Sequence, residues 1–256
     1  MGSSKNSFSP PTNPSTGWNR TTFGTPDLAH INRFEFHADT WGGGFQYWLD
    51  GVSIAFNGGA RVTSIRNAKL AADNTRVDLT GAIVSVAWPD VFYIESSDRT
   101  KGIRVEKAGH ALVAGQTARK FGYVKTNPDG ERTIDASWAM ADGGSGTITS
   151  LGMANKQLGG ANWNYSKPTG AGQRGVTGGN GLNNIGLLVR TFGKVVAVDG
   201  SVTPTWYTID DGSNVNVKVV VQAGVGVPAV GSYVTVTGAS SIYLSGSSYY
   251  RQVLAQ

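Results

Sequence analysis

The chain of 256 residues contains no cysteine, and its histidines are His30, His37 and His110. Without cysteine, the protein can form neither disulfides nor thiolate metal sites. A Ser/His/acid triad would have to use one of the three histidines, and the nucleophile motif Gly-x-Ser-x-Gly does not occur. A glycosidase needs only two carboxylates, but no pair stands out. We therefore predict a protein that is not an enzyme and that has no cofactor and no metal site.

The sequence also lacks long apolar runs. No segment approaches the roughly 20 consecutive apolar residues that a membrane helix needs, and the N-terminal Met-Gly-Ser-Ser-Lys-Asn-Ser has no apolar signal core. Charged residues make up only 15% of the chain, whereas glycine occurs 36 times. A composition rich in Gly, Ser, Thr and Asn is typical of secreted β proteins. We predict an extracellular protein without a membrane span.

Positive charge is only slightly in excess in this sequence. Lys and Arg number 22 against 17 Asp and Glu, which gives a net charge of +5. The basic residues are scattered, and the longest basic stretch, Arg99 to Lys107, is interrupted by Glu106 and by apolar residues. A solvated surface explains this distribution better than a polyanion partner does. We therefore do not expect a nucleic-acid partner.

What the sequence does contain is an internal repeat. The segment from Leu79 to about Ala139 returns in altered form from Val189 to Ala255. Both copies run in the order strand, aromatic strand, acidic turn, strand, Gly turn, strand. The matching segments are 81–86 and 193–198, 92–95 and 206–211, 102–106 and 216–220, and 113–115 and 229–231. A repeat of this size predicts two copies of one small β unit.

Each copy has the strand pattern of a five-stranded Greek-key barrel of the OB type. The first copy resembles the tandem OB-fold-like modules of secreted, often carbohydrate-active, bacterial proteins, and so does the second. The segments that carry the resemblance are 64–70, 77–81, 83–84, 92–95, 98–99 and 102–105 in the first copy and 187–193 and 207–212 in the second. The resemblance implies an all-β bacterial protein with two OB-like barrels in tandem.

The region before the repeat has two parts. Residues 1–30 form a Ser/Pro/Asn/Thr/Gly stretch without periodicity, the composition of a tail. Residues 31–60 contain three alternating segments, two of them joined by Asp50-Gly51, and predict an antiparallel meander. The meander resembles the closing strands of a concanavalin-like or laminin-G-like jelly roll, but the rest of that sandwich is absent. We predict a partial β-sandwich whose uncovered face needs a partner.

Two short helices and a long arm complete the pattern. Residues 63–70 predict a helical turn capped by Thr63 or Ser64, and residues 151–158 predict a second one. Residues 142–188 are rich in glycine and form a long connection. Because this segment also contains many apolar side chains, we expect an arm packed across both repeats. The predicted segments are an N-terminal extension (1–30), a β-meander (31–60), a first OB-like barrel (61–141), a connecting arm (142–188) and a second OB-like barrel (189–256).

Residues with possible chemistry are few. Glu35, His37 and Asp39 share one face of a predicted strand and could hold a hard cation, although a hydrated outer face explains them better. The run from Asp210 to Asn214 has the look of a Ca²⁺ loop but lacks its spaced ligands, so we expect a turn. Sequons at Asn19 and Asn164 mark possible glycosylation sites in loops.

Aromatic side chains supply the candidate binding residues. The second strand of each repeat carries adjacent aromatics, namely Phe92, Tyr93, Trp206 and Tyr207. Because neighbours on a strand point to opposite faces, at most one aromatic per repeat is displayed, and we expect mainly core positions. A separate platform for sugar rings is predicted in the meander at Trp41, Tyr47 and Trp48.

Three functions follow from these patterns. The first is a non-enzymatic extracellular structural protein, a subunit of a homopolymeric, filament-like assembly whose N-terminal extension packs on a neighbour. The second is a carbohydrate-binding accessory module of a secreted glycoside-active protein. The third is an OB protein that binds single-stranded nucleic acid, for which carboxylates beside the second strand are unfavourable.

Overall fold

We describe a computed structural model of the chain, in which residues 5–9, 19–23 and 61–256 are placed well enough to describe. These residues form an almost entirely β structure, as predicted. The predicted meander of residues 31–60 lies outside the described residues. Residues 59–256 form one compact unit, separate from the unit that contains the two N-terminal strands.

The N-terminal unit contributes one described hairpin. Strands β1 (Lys5–Ser9) and β2 (Asn19–Phe23) pair antiparallel. The alternation needed to predict them is absent, because Ser, Asn and Thr dominate both segments. A stretch that was expected to be an aperiodic tail therefore contains two paired strands. Such pairing depends on backbone hydrogen bonds, which leave little trace in a polar sequence.

A short helix precedes the first barrel, as the sequence predicts. Helix α1 spans Ile65–Leu70, and the side chain of Ser64 caps it by accepting a hydrogen bond from the Asn67 amide at 3.2 Å. This is the usual role of serine at a helix N-terminus. Ile65 and Ala68 on one side of the helix pack into the core of the barrel that follows.

The first barrel is closed by five strands in the order β3-β4-β5-β7-β6, with β6 paired back to β3. Neighbouring strands are antiparallel except β5 and β7, which are parallel. The strands are β3 (Arg76–Trp88), β4 (Val91–Glu95), β5 (Gly102–Glu106), β6 (Gln116–Thr126) and β7 (Arg132–Ser145).

Closure of this barrel depends on the bent strand β3. Its first half pairs with β6 and its second half with β4, and the register shifts between Leu79 and Ala82 and again between Val84 and Val86. Gly81 at the first shift has φ = 72°, a conformation that favours glycine. A bulge with glycine lets one strand turn the corner of a barrel and pair with two neighbours.

The second barrel repeats this strand order. Its strands run β9-β10-β11-β13-β12, β9 pairs with both β10 and β12, and β11 and β13 are parallel. The strands are β9 (Leu188–Val198), β10 (Trp206–Asp210), β11 (Asn216–Val220), β12 (Tyr233–Ser245) and β13 (Ser248–Ala255). Each segment matched in the repeat therefore occupies the same place in its own barrel.

The arm between the barrels is packed. Leu158, Val176 and Ile185 are buried in it, and Leu158 belongs to the core of the second barrel. The predicted helix at 151–158 is replaced by strand β8 (Leu151–Gly152), parallel to β9, and by a 3₁₀ turn at Asn155–Gln157. The first residues of β9 explain the difference, because β10 does not reach them: pairing of β8 with Val189 and Arg190 satisfies backbone groups that a short helix would leave unpaired.

The barrels meet through apolar side chains and close backbone contact. Val86 and Tyr93 of the first barrel form one buried cluster with Leu188, Ala239 and Leu254 of the second. The indole nitrogen of Trp88 also donates to the Ala255 carbonyl at 3.0 Å. Gly102 of β5 lies so close to Gly186 that a Cβ built on Gly102 would be 2.0 Å from the Gly186 oxygen.

This close approach predicts that Gly102→Ala destabilises the protein. The new methyl group meets backbone rather than a flexible side chain, so β5 and the arm at Gly186 must shift apart at a cost of about 1–3 kcal/mol or more. Urea unfolding followed by tryptophan fluorescence measures the change. Gly152→Ala is the matched control, because a Cβ there has no heavy atom within 4 Å. Equal stability of the two variants would contradict the proposed packing.

Candidate functional site

The groups with the most perturbed proton affinities lie between the barrels. Glu131, just before β7, is 1% exposed and accepts hydrogen bonds from the Tyr93 hydroxyl at 3.1 Å and from the Ser241 hydroxyl at 2.7 Å. Tyr93 belongs to the first barrel and Ser241 to the second. Burial raises the pKa of Glu131 and also raises that of Tyr93. The carboxyl group is therefore a shared acceptor that links the two barrels.

Lys69 and Glu95 extend this buried cluster. The Lys69 ammonium donates to the Ile185 carbonyl at 2.5 Å, and burial lowers the pKa of Lys69 to about 7. The Glu95 carboxyl accepts the Leu188 amide at 2.5 Å, and burial raises the pKa of Glu95 to about 7. Shifted pKa values of this kind often mark catalytic sites. Here the groups are enclosed and bind across the interface, so we assign them to holding the barrels together.

Solvent-accessible depressions contain few polar groups. The larger, of about 450 Å³, lies on the second barrel and is lined by Met153, Arg190, Phe192 and Thr235, among others. The smaller, of about 260 Å³, includes Trp88, Leu112 and His110. His110 packs against the Phe92 ring and accepts the Leu112 amide. Neither depression brings together an acid and a base. Within the part of the chain that the structure describes, no three His, Asp or Glu residues could hold a metal ion.

A row of aromatic side chains, half-buried except for the exposed Tyr250, crosses the outer surface of the second barrel. It contains Trp206 on β10, Lys218 on β11, Tyr250 on β13 and Tyr243 on β12, and we call these four residues the aromatic face. The Lys218 ammonium lies 5.2 Å from the centroid of the Trp206 ring and 4.8 Å from that of Tyr243. Tyr243 and Tyr250 stand opposite each other and stack at 5.6 Å, with 29° between the ring planes.

Strand alternation and the first barrel together define this face. Ala239, Ser241 and Tyr243 alternate along β12, and Leu254 lies on the same side of β13 as Tyr250. Ala239, Ser241 and Leu254 are buried against the first barrel, whereas Tyr250 is 47% exposed. One sheet surface is therefore half interface and half solvent-facing. The four strands that carry the aromatic face are about 14 Å wide in all.

The aromatic face is nearly neutral. One charged neighbour is Asp210, which follows Trp206 and Thr208 on the same side of β10 and stands opposite Lys194. Another is Asp129, whose carboxylate accepts the Leu244 amide beside Tyr243. The Asp210 carboxylate also accepts the Gly212 amide at 3.1 Å. One lysine and one carboxylate on the same side of the sheet provide no track for a polyanion. Such a surface suits flat, uncharged rings.

In the structure, at most one aromatic side chain of each second strand faces outward, as alternation predicts. Phe92, Tyr93 and Tyr207 are buried, and Trp206 faces outward. Arg104 of the first barrel donates to the Tyr93 hydroxyl at the interface instead of facing a ligand. The first barrel thus displays no second-strand aromatic. The aromatic partners Tyr243 and Tyr250 were missed, because the sequence does not show which ends of β12 and β13 the first barrel covers.

The structure describes only some of the other predicted sites, namely the Asp210–Asn214 run and the two sequons. Trp41, Tyr47 and Trp48, and likewise Glu35, His37 and Asp39, lie outside the described residues. The Asp210–Asn214 run is a turn in which the Asp211 carboxylate accepts amides from Ser213 and Asn155. Asn164 is an exposed loop residue, so its sequon is accessible, whereas Asn19 is the first residue of β2 rather than a loop residue.

Comparison with known proteins gives no identification: no protein-family model matches the sequence, and no curated protein matches it significantly. Among the described residues, no helix has the length and apolar character needed to cross a membrane. The fold and the aromatic face must therefore carry the functional argument by themselves.

The buried Glu95 carboxyl predicts a specific pH dependence of stability. The folded protein keeps this group protonated up to a pKa of about 7, while the unfolded chain loses the proton near 4.5. The stability that this group contributes is therefore fully present below the pKa of the unfolded chain, 4.5, and is lost as the pH rises through the folded pKa of about 7. Glu95→Gln keeps an acceptor for Leu188 and cannot ionise. We expect the variant to lose less stability between pH 5 and 7 and to be more stable at pH 8, by roughly 1–3 kcal/mol.

Urea unfolding at a series of pH values tests this prediction. Asp90→Asn is the control, since Asp90 is an exposed carboxylate in the turn between β3 and β4. The control should keep the pH profile of the parent protein. A Glu95→Gln profile that matches the parent would show that Glu95 is ionised in the folded state.

Proposed function

We propose that the chain is a non-enzymatic carbohydrate-binding module and that the aromatic face of the second barrel holds the sugar rings. The observation that carries this proposal is the row of Trp206, Tyr243 and Tyr250 on adjoining strands of a sheet, left uncovered beside a buried interface. Exposed aromatic side chains provide large apolar contact area at a small cost in conformational entropy. Sugar rings present flat apolar C–H faces that match such a surface.

The strand order supports the same proposal. In both barrels the third and fifth strands are parallel neighbours and the first strand pairs with the second and the fourth. We infer that both are OB-like barrels, a type whose second and third strands form a face that binds oligosaccharides and oligonucleotides. Trp206 and Lys218 occupy these two strands in the second barrel.

Charge favours carbohydrate over nucleic acid at this face. Binding of single-stranded nucleic acid combines stacking with a basic groove that tracks the phosphates. Lys218 is the one cation that the structure places among these aromatic rings in the described part of the chain, and Asp210 lies on the same side of β10. A neutral polysaccharide needs no such groove.

The filament-like assembly stays a prediction. It depends on the aromatic meander and on the N-terminal extension, most of which lie outside the described residues. An extracellular, secreted location in a bacterium fits the proposed function, since the polymers that such modules bind are found outside cells.

Substitution of the stacking residues tests the proposal. Trp206→Ala and Tyr250→Ala should each weaken retention on at least one neutral polysaccharide by about tenfold, because each loses an aromatic contact worth about 1.4 kcal/mol. Affinity electrophoresis through gels that contain xylan, glucomannan or β-glucan measures retention, and pull-down with cellulose and chitin covers insoluble polymers.

Tyr233→Ala is the matched control. Tyr233 is 81% exposed at the opposite end of β12, where it stands across from Lys194. The control should bind as the parent protein does. Absence of retention on every polymer, or an equal loss in Tyr233→Ala, would reject the aromatic face as a sugar site.

A further inference from the structure

A second exposed aromatic surface lies on the first barrel, outside the site proposed above. It is centred on Phe121 of β6, which stands between Asp78 of β3 and Trp138 of β7. Arg61 and Arg76 lie over this ring, and Arg119 contacts the neighbouring Asp78. We call the group the arginine face, and it comprises Arg61, Arg76, Asp78, Arg119, Phe121, Tyr123, Trp138 and Met140.

The guanidinium groups are held in place at this face. Those of Arg76 and Arg61 lie 5.3 Å and 6.0 Å from the centroid of the Phe121 ring. Arg61 and Arg119 approach the same oxygen of Asp78, at 3.6 Å and 3.4 Å. Asp78 thus brings Arg61 and Arg119 close together. The Phe121 ring lies between this pair and Arg76. Guanidinium groups prearranged in this way lose less freedom when they bind a carboxylate.

The apolar part of the arginine face is open to solvent. Tyr123 is 38% exposed, Trp138 is 42% exposed and Met140 is 51% exposed. They lie on two paired strands, where Trp138 stands opposite Phe121 and Met140 opposite Arg119. Tyr123 meets the Phe121 ring edge-on at 6.5 Å. A contiguous exposed group of large apolar side chains beside fixed charges is typical of a binding surface.

The charge of this face is positive at its centre, balanced at one end and acidic at the other. The centre has three arginines against Asp78. Lys125 and Asp135 lie beside Tyr123 towards one end, where Tyr123 and Asp135 are paired. At the other end Asp142 accepts hydrogen bonds from Thr80, Thr117 and the Gly81 amide. The surplus positive charge is therefore confined to the middle.

We infer that the arginine face binds an acidic polysaccharide, with sugar carboxylates paired to Arg61 and Arg119 and sugar rings against Trp138 and Tyr123. Arginine matches carboxylates in a planar, two-point geometry. A guanidinium already occupies the Phe121 ring, which leaves the exposed rings of Trp138 and Tyr123 for the sugar. The choice of a sugar polymer rests on the proposed function, whereas the anionic character comes from this face alone.

Polygalacturonate is the probe, with its fully methyl-esterified form as the uncharged version of the same polymer. The parent protein should bind polygalacturonate at least tenfold more tightly, and the binding should weaken as salt rises. Arg61→Gln/Arg119→Gln should lose about tenfold in affinity and most of that salt dependence. Trp138→Ala should lose affinity and keep the salt dependence. Biolayer interferometry with the immobilised polymers gives all of these values.

Lys156→Gln/Lys167→Gln is the matched control, since it removes the same charge from two exposed residues of the arm. It should bind as the parent protein does. Arg119→Gln alone serves if the double variant fails to fold, because the Arg119 side chain is 56% exposed. Its expected loss has the same direction.

Three results would overturn the inference. They are equal binding to the charged and esterified polymers, an equal loss in the lysine control, and tight binding to oligo-dT with none to polygalacturonate. Retention on neutral polymers through Trp206 is measured in the same series. It should be unchanged in Arg61→Gln/Arg119→Gln, so failure at the arginine face and failure at the aromatic face give different results.

Discussion

The carboxyl group of Glu131 is the contact on which the arrangement of the two barrels depends. It is buried between them, and it accepts one hydroxyl from each, Tyr93 of the first and Ser241 of the second. A rotation that kept this acceptor buried but removed its donors would be costly, so these hydrogen bonds favour one arrangement of the barrels over others. Apolar contacts around Leu188 and Leu254 add area, but they fix direction less strictly than hydrogen bonds do.

This fixed arrangement decides which surfaces are available for binding. The first barrel covers Ser241 and Leu254 and stops before Tyr243 and Tyr250. A sheet surface that would otherwise be continuous is thereby divided into an interface and a row of aromatic rings. The first barrel has its own open surface on β3, β6 and β7, where arginines from β3, β6 and the segment before α1 gather around Phe121. Two copies of one repeat thus provide one neutral and one basic aromatic surface.

Much of the fold can be predicted from local patterns. Thr63 and Ser64 predict the start of the helix because either side chain suits the cap, and Ser64 takes that position. Asn127-Pro128-Asp129-Gly130 predicts a turn, in which Gly130 has φ = 79°. The repeat predicts two equal sets of strands, and alternation predicts that one of Trp206 and Tyr207 is buried. The hairpin of β1 and β2 and the short strand β8 were missed, because their pairing is made by backbone groups of polar or glycine-rich segments.

The sequence by itself determined the all-β class, the order of strands along each repeat and the expectation that at most one second-strand aromatic per repeat is displayed. These features follow from alternation, turn residues and periodicity, all of which act over a few residues. The tertiary structure alone decided that Glu131, Tyr93 and Ser241 meet, and that Trp206, Tyr243 and Tyr250 share one uncovered surface. Both depend on contacts between residues far apart in the chain, which no local pattern encodes.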